Sequence, residues 1–206
     1  MTFVLSQFAP KATPQFARAF ATVFPRLAPA YGLTTPTIQA HFLGQMAHES
    51  AGFSRMQENL NYSAKRIPQV WPRLALRADV LAGKPEALAN AAYGGRLGNG
   101  PEALGDGWRF RGQGPTMLTG RENYRRYGGM IGVDLEAHPE LAAEPGVGMW
   151  IALAYWESTG CNEHAARDDY EEVTKAINGP AMLGLAERKA LTIKAKELLV
   201  AGGLIA

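Results

Sequence analysis

His48 and Glu49 stand side by side in QMAHESAGF, residues 45–53. A zinc protease site carries this pair with a second histidine four residues after the first, so that both imidazoles share one helical face. Position 52 is glycine instead, and His41, His138 and His164 have no metal-ligand spacing. No metal and no cofactor is expected. Glu49 falls in the last turn of a predicted helix, where the partial negative charge of the helix terminus disfavours a carboxylate. Partial burial acts in the same direction. A carboxyl kept protonated near neutral pH suits protonation of a leaving oxygen. Glu58 lies nine residues further on, in QENLNYSA, beyond the helix end. Two carboxyls roughly 6.5–9.5 Å apart leave room for one water and can run a single displacement at a glycosidic bond. Nine peptide links reach at most ~30 Å, so a turn after Gly52 can meet that distance. Taken alone, each glutamate also reads as a solvated side chain at a helix end or in a loop. Asn59, Asn61, Tyr62 and Ser63 offer amides, hydroxyls and a ring that suit a sugar, and they equally suit an ordinary turn.

The elements that must hold these residues read mainly as helix. Thr35-Pro36 opens one, with threonine at the N-cap and proline at the first helical position. Ile38, Phe42, Leu43, Met46 and Ala47 follow as an apolar stripe at helical spacing, and Gly52 suits the C′ position. Residues 145–159, PGVGMWIALAYWEST, are apolar nearly all round and predict a buried central helix ending near Gly160. DDYEEVTKAINGP opens with acidic residues suited to a helix N-terminus and stops at Gly179-Pro180. AERKALTIKAKELLV predicts a last amphipathic helix closed by Gly202-Gly203. The prolines and glycines from about 63 to 104 mark a smaller helical lobe, with the larger one at about 1–62 and 105–206, all within a single domain of 206 residues.

Composition removes several classes of function. Apolar residues make up 47%, enough for a real core. No apolar run reaches the ~18 residues of a membrane helix, so no stable membrane insertion is expected. The first twenty residues lack a basic stretch ahead of a long apolar run, and no secretory signal is read. A lone cysteine, Cys161, forms no internal disulfide. The net charge of +2 hides an asymmetry: residues 55–126 carry twelve basic and six acidic side chains, and residues 127–206 the reverse. A basic middle attracts an anionic polymer, although it equally makes a solvated face. No zinc-knuckle spacing, aromatic RNA-binding run or dense Lys/Arg tract points to nucleic acid. FRGQGPTMLTG lacks the third glycine and the Gly-Lys-Ser/Thr of nucleotide loops. It also reads as a glycine turn into a helix capped by Thr119. Asn178 suits a helix C-cap as well as a sugar contact. Of the tryptophans, Trp150 and Trp156 belong to the core, and Trp108, beside Arg109 and Arg111, is the better candidate for stacking on a sugar.

AHESAGF, ENLNYSA, RFRGQGPTMLTGRENY and VTKAINGP occur in an order that resembles family 19 glycoside hydrolases, over roughly residues 38–180. That family contains chitinases and peptidoglycan-cleaving bacteriophage endolysins. The resemblance implies a mainly α, lysozyme-like, two-lobed helical fold with a substrate cleft between the lobes, and hydrolysis with inversion. By motif, Glu49 matches the general acid and Glu58 the general base. Thr119 matches a hydroxyl that helps hold the attacking water. Asn178 and Asn123 match polar sugar-binding positions, and Tyr62 and Trp108 complete the expected substrate-binding set. Met117 departs from the glutamine usual in the chitinases. The implied activity is that of an endolysin cutting the β-1,4 bond between N-acetylmuramic acid and N-acetylglucosamine. Such a protein works as a monomer on peptidoglycan glycan strands, is made in the host cytoplasm, and acts on the wall in the periplasm after release. A chitinase of the same mechanism, a lytic transglycosylase needing one glutamate, and a non-catalytic glycan-binding protein are the other readings. Dialysis against a strong chelator is expected to leave wall hydrolysis unchanged. Activity that is lost and then restored by zinc would overturn the carboxylate reading.

Overall fold

The computed structural model describes residues 5–202. Among these the architecture is helical, and the extended pairing found consists of isolated bridges joining Gln57 to Gln113 and Gln113 to Leu118. The described residues form two compact units. The first takes residues up to Met56, Gly114–Thr116 and Ala142 onward, and the second takes Gln57–Gln113 and Met117–Leu141.

In the first unit the helix Pro36–Glu49 begins as its sequence requires: Thr35 Oγ1 accepts from the Ile38 N–H at 3.2 Å, with Pro36 in the first turn. The expected single apolar stripe is too narrow a description. Every residue from Ile38 to Ala47 is buried, including Gln39, His41 and Gln45. A buried polar group is tolerated when it is hydrogen-bonded. Gln39 Nε2 donates to the Leu33 carbonyl at 3.1 Å, and Gln45 Nε2 to Thr174 Oγ1 at 3.0 Å. His41 Nε2 pairs with Asp168 Oδ1 at 3.0 Å. Burial pushes the His41 imidazole below its ordinary pKa, against the pull of that hydrogen bond.

The long helix Leu185–Gly202 packs along Pro36–Glu49. Its buried residues are Arg188, Thr192, Ala195 and Leu199, so the inward stripe of this expected amphipathic helix begins with a cation. Gly202 is its last residue; the expected closure at Gly203 lies outside the described residues. The helix Pro145–Ser158 is buried on most sides, as its sequence indicated, and Gly160 follows at φ 69°. Trp156 is fully buried and its indole N–H donates to Asn162 Oδ1 at 2.6 Å. Trp150 is half-buried and donates to the Tyr31 hydroxyl at 2.6 Å. Tyr170–Asn178 starts at Asp169, whose Oδ1 accepts from the Glu172 N–H at 3.0 Å, and stops at Gly179. Rings join these elements: Phe16 stacks on Phe53 at 4.6 Å and Phe42 meets Trp156 edge-on at 5.7 Å. Cys161 is buried beside Thr159, whose hydroxyl donates to Sγ at 3.1 Å; burial pushes the thiol up to about 11.

The second unit is made of short pieces. Ile67–Val70, Pro72–Arg77, Ala78–Leu81 and Pro85–Tyr93 close around Ile67, Leu74, Leu81 and Leu88. The expected smaller lobe, about 63–104, lies inside this unit, which also takes residues 57–62, 105–113 and 117–141. Hydrogen bonding explains the wider boundary. The Glu122 N–H donates to the Leu97 carbonyl at 3.1 Å and the Arg121 N–H to Asn99 Oδ1 at 2.9 Å. These tie the helix Arg121–Ile131 to the glycine-rich stretch. Among the described residues no helix is long and apolar enough to cross a membrane.

Gly44 sets the closeness of the two long helices in the first unit. A Cβ there would lie 2.2 Å from Thr192 Oγ1 and 2.8 Å from the Thr192 backbone nitrogen. Rotation of Thr192 cannot relieve the backbone overlap. Gly44→Ala is therefore expected to destabilise the protein by about 1–3 kcal/mol, the cost of overpacking, despite alanine's higher helix propensity. Urea unfolding measures this, and an unchanged midpoint would contradict it.

Candidate active site

Glu49 belongs to the first unit and Glu58 to the second. Glu49 is the last residue of its helix, with its side chain 26% exposed. Its Oε1 accepts from Arg188 Nη2 at 2.6 Å, and the Arg188 side chain is only 2% exposed. Arg188 Nη1 donates to Gln45 Oε1 at 2.6 Å and Nε donates to the Leu183 carbonyl at 3.0 Å. A guanidinium only donates, and a buried one must be paired and hydrogen-bonded. Three acceptors meet that need here. Arg188 thus sets a positive charge directly beside the carboxyl group at the helix end.

Asn178 takes part in this arrangement indirectly. Its Oδ1 accepts from the Leu183 N–H at 2.7 Å, and the Leu183 carbonyl accepts from Arg188. The helix C-cap is Gly179, one residue later than the alternative role read for Asn178. Gly184, at φ 75°, packs on His48: a Cβ there would lie 2.4 Å from its ring. Burial, and then Arg188, push the His48 imidazole below its ordinary pKa.

The backbone turns sharply after Glu49. Ala51, Gly52 and Phe53 have φ of 51°, 72° and 58°. The left-handed turn thus begins one residue before Gly52. Left-handed geometry costs a non-glycine residue roughly 1–2 kcal/mol. Ser50 helps hold it: Oγ donates to the Met46 carbonyl at 2.6 Å and accepts from the Phe53 N–H at 2.9 Å.

In the second unit Glu58 is held at three points. Its N–H donates to the Gly112 carbonyl at 2.9 Å. Oε1 accepts from the Gly112 N–H at 2.6 Å, and Oε2 accepts from the Tyr93 hydroxyl at 2.8 Å. A Cβ at Gly112 would lie 3.3 Å from both Glu58 Cδ and Thr119 Oγ1. A glycine at this position therefore lets the carboxylate and the hydroxyl flank the same point of backbone. Thr119 does not cap the following helix, whose N-cap is Gly120. Its hydroxyl instead donates to the Met117 carbonyl at 2.8 Å, closing a turn in which Met117 has φ 50°. Asn123 Nδ2 donates to the Thr119 carbonyl at 2.8 Å and supports that turn. Tyr62 and Trp108 are placed by other contacts. Tyr62 meets Trp71 edge-on at 5.1 Å, and the Arg111 guanidinium lies 3.9 Å from the Trp108 ring centroid. Among the described residues no three His, Cys, Asp or Glu side chains are grouped to hold a metal.

A Haemophilus influenzae (strain ATCC 51907 / DSM 11121 / KW20 / Rd) protein, named glycosyl hydrolase family 19 domain-containing protein, is 40% identical over 153 residues, 73% of this chain and 74% of its own. The chain belongs to glycosyl hydrolase family 19. No protein-family model matches it. Chitinase C from Streptomyces griseus HUT6037 shares its fold with a TM-score of 0.63 at 20% identity, over 96% of this chain and 77% of that one. A bacterial family 19 chitinase matches with a TM-score of 0.65 at 19% identity, over 100% of this chain and 98% of that one. The helical architecture is thus the lysozyme-like fold of family 19, and the chain is a glycosidase.

Arg188, Tyr93 and Gly112 of this family 19 chain hold the two glutamates and are not among the site residues that the motifs mark. Arg188 did leave a signal, because it shares a helical register with Thr192, Ala195 and Leu199, where a charge is out of place. Lysine at 188 would keep the charge but lose the planar fork, and one ammonium cannot serve Gln45, Glu49 and Leu183 together. Arg188→Lys is expected to lose roughly 2–4 kcal/mol of stability, toward the cost of breaking a buried pair. Denaturant unfolding at neutral pH reads this, and wild-type stability would show that the fork is not needed.

Proposed function

We propose that this family 19 glycosidase is an endolysin of the bacteriophage type. It hydrolyses the β-1,4 bond between N-acetylmuramic acid and N-acetylglucosamine in bacterial peptidoglycan. The observation that carries the reading is the setting of Glu58, with both carboxylate oxygens held and the Thr119 hydroxyl approaching the same point beside Gly112. A carboxylate so fixed suits the base that takes a proton from water.

In this reading Glu49 gives its proton to the glycosidic oxygen as the bond to the anomeric carbon breaks. Arg188 occupies Oε1, which leaves Oε2 to carry the proton, and the guanidinium balances the carboxylate that remains. Water attacks the anomeric carbon, Glu58 takes the proton that water loses, and Thr119 helps orient the water. One water is consumed and the configuration inverts. Two features favour peptidoglycan as the substrate. The stretch 55–126 carries twelve basic and six acidic side chains, suited to an anionic polymer. Met117 cannot donate the hydrogen bond of the glutamine usual in the chitinases. The second reading, a chitinase of the same mechanism, draws on the chitinases that share the fold.

Mass spectrometry of products from purified peptidoglycan tests the proposal. Muramic acid is expected at the new reducing ends. Glucosamine ends would mean a glucosaminidase, anhydro-muramic ends a transglycosylase, and faster release from chitin oligomers the second reading. Glu49→Gln and Glu58→Gln are each expected to lower turnover by about 10²–10⁴-fold with the fold intact, and Thr119→Val by less. Near-wild-type turnover by folded Glu49→Gln would remove the acid assignment. Glycan binding without turnover by the wild-type protein would overturn the enzymatic reading.

A further inference from the structure

Glu58 and Thr119 account for only part of the second unit's polar construction. The glycine-rich stretch AYGGRLGNG, residues 92–100, has a geometry of its own. Tyr93 ends the helix Pro85–Tyr93. Its carbonyl accepts from the Arg96 N–H at 3.2 Å and from Asn99 Nδ2 at 3.0 Å. The Gly95 N–H donates to the Gly100 carbonyl at 2.8 Å, closing the loop. Two further close approaches need glycine: a Cβ at Gly94 would lie 2.6 Å from the Asn90 carbonyl oxygen, and one at Gly98 2.8 Å from Glu122 Cβ. Leu97 packs against Gly120, next to Thr119. The loop therefore fixes the Tyr93 backbone and braces the Thr119 turn together.

The Tyr93 ring packs against the second unit's apolar cluster, and its hydroxyl donates to Glu58 Oε2 at 2.8 Å. Burial, and then the Glu58 charge, push the phenol far above its ordinary pKa, so it is a neutral donor at any working pH. The Gly112 N–H holds the other oxygen at 2.6 Å. Each carboxylate oxygen can accept two hydrogen bonds. With one site per oxygen occupied, the carboxylate plane is fixed and an acceptor site on each oxygen is left for a proton. Tyr62 and Arg96 are the other groups acting on Tyr93; Tyr124, close to Arg111, is the further titratable group coupled to Glu58.

We propose that Tyr93 is a positioning residue for the general base: its hydroxyl sets the orientation of the Glu58 carboxylate and stabilises its ionised form. This rests on the assignment of Glu58 as base. Hydrogen bonding to a carboxylate favours its charged form, so removing the donor should make Glu58 ionise at higher pH. A base that must be ionised gives the acid limb of the pH–rate profile.

The test compares wild type, Tyr93→Phe and Glu58→Gln as full chains. Hydrolysis of purified peptidoglycan is measured against pH, and Glu58 is titrated directly through its ¹³C carboxyl resonance, assigned from its absence in Glu58→Gln. Tyr93→Phe is expected to lower kcat about 10- to 100-fold with KM nearly unchanged. Both the acid limb and the Glu58 titration should move to higher pH. 3-Fluorotyrosine at position 93 keeps ring and hydroxyl and is a stronger donor, so it should move both the opposite way even if Tyr93→Phe folds poorly. A Glu58 titration unmoved by either replacement would overturn the proposal, and so would lost activity with an unmoved acid limb, which would mean that the ring serves packing alone. The carboxyl titration needs no turnover. If the wild-type protein does not hydrolyse glycan, the functional reading fails while the resonance still decides the role of Tyr93.

Discussion

The first unit depends on satisfying a buried guanidinium. Arg188 lies at 2% exposure on the inner face of the last long helix, where a cation without partners would be severely unfavourable. Its three donor contacts fix three parts of the chain at once: Gln45 within the helix Pro36–Glu49, Glu49 at its end, and the Leu183 carbonyl in the loop between the last two helices. Two of these partners are tied elsewhere. Gln45 donates to Thr174, and the Leu183 N–H bonds to Asn178. A shift of Pro36–Glu49 along Leu185–Gly202 would break several charge-assisted bonds together. Gly44 brings the two backbones close enough for a side chain on one helix to reach so many acceptors on and around the other.

The second unit solves a related problem with smaller parts. Its helices are short, and much of its order comes from turns that need glycine or a left-handed residue. Gly112 is the clearest case. It offers its N–H to Glu58 and leaves space that any side chain would fill. A long rigid element would supply precision by packing; here a carboxylate is placed by hydrogen bonds to backbone and to one phenol. The Arg121–Asp106 pair at 3.0 Å and the Tyr124 hydroxyl, which donates to the Arg111 carbonyl at 2.7 Å, stiffen the same turns.

What the sequence made legible was local. Thr35-Pro36, Asp169 and Gly179 act through neighbours three or four residues away, so their types announce the helix ends they make. The apolar run of Pro145–Ser158 likewise carried its burial in its composition. Arg188 showed only as a charge in the buried register of its helix; its partners Gln45 and Glu49 lie far away along the chain. Ala51 and Phe53 hid their left-handed backbone because neither residue type signals it; the core holds Phe53 there through its stack on Phe16. The alternative role of Thr119 as a cap draws on threonine before a helix commonly being one, whereas its hydroxyl closes its own turn. The second unit extends past the change in composition near residue 104, because hydrogen bonds tie Leu97 and Asn99 to the Arg121–Ile131 helix.

The burial of Cys161 bears on how the protein withstands its surroundings. The thiol is enclosed in the first unit's core, capped by Thr159, and its pKa is pushed up to about 11. Reaction with oxidants or with another thiol needs an exposed thiolate. The folded chain thus offers neither the charge state nor the access for cross-linking to a second copy or for capture by a foreign disulfide. Its only sulfhydryl reacts when the core opens, so oxidation of this cysteine follows loss of the fold rather than causing it.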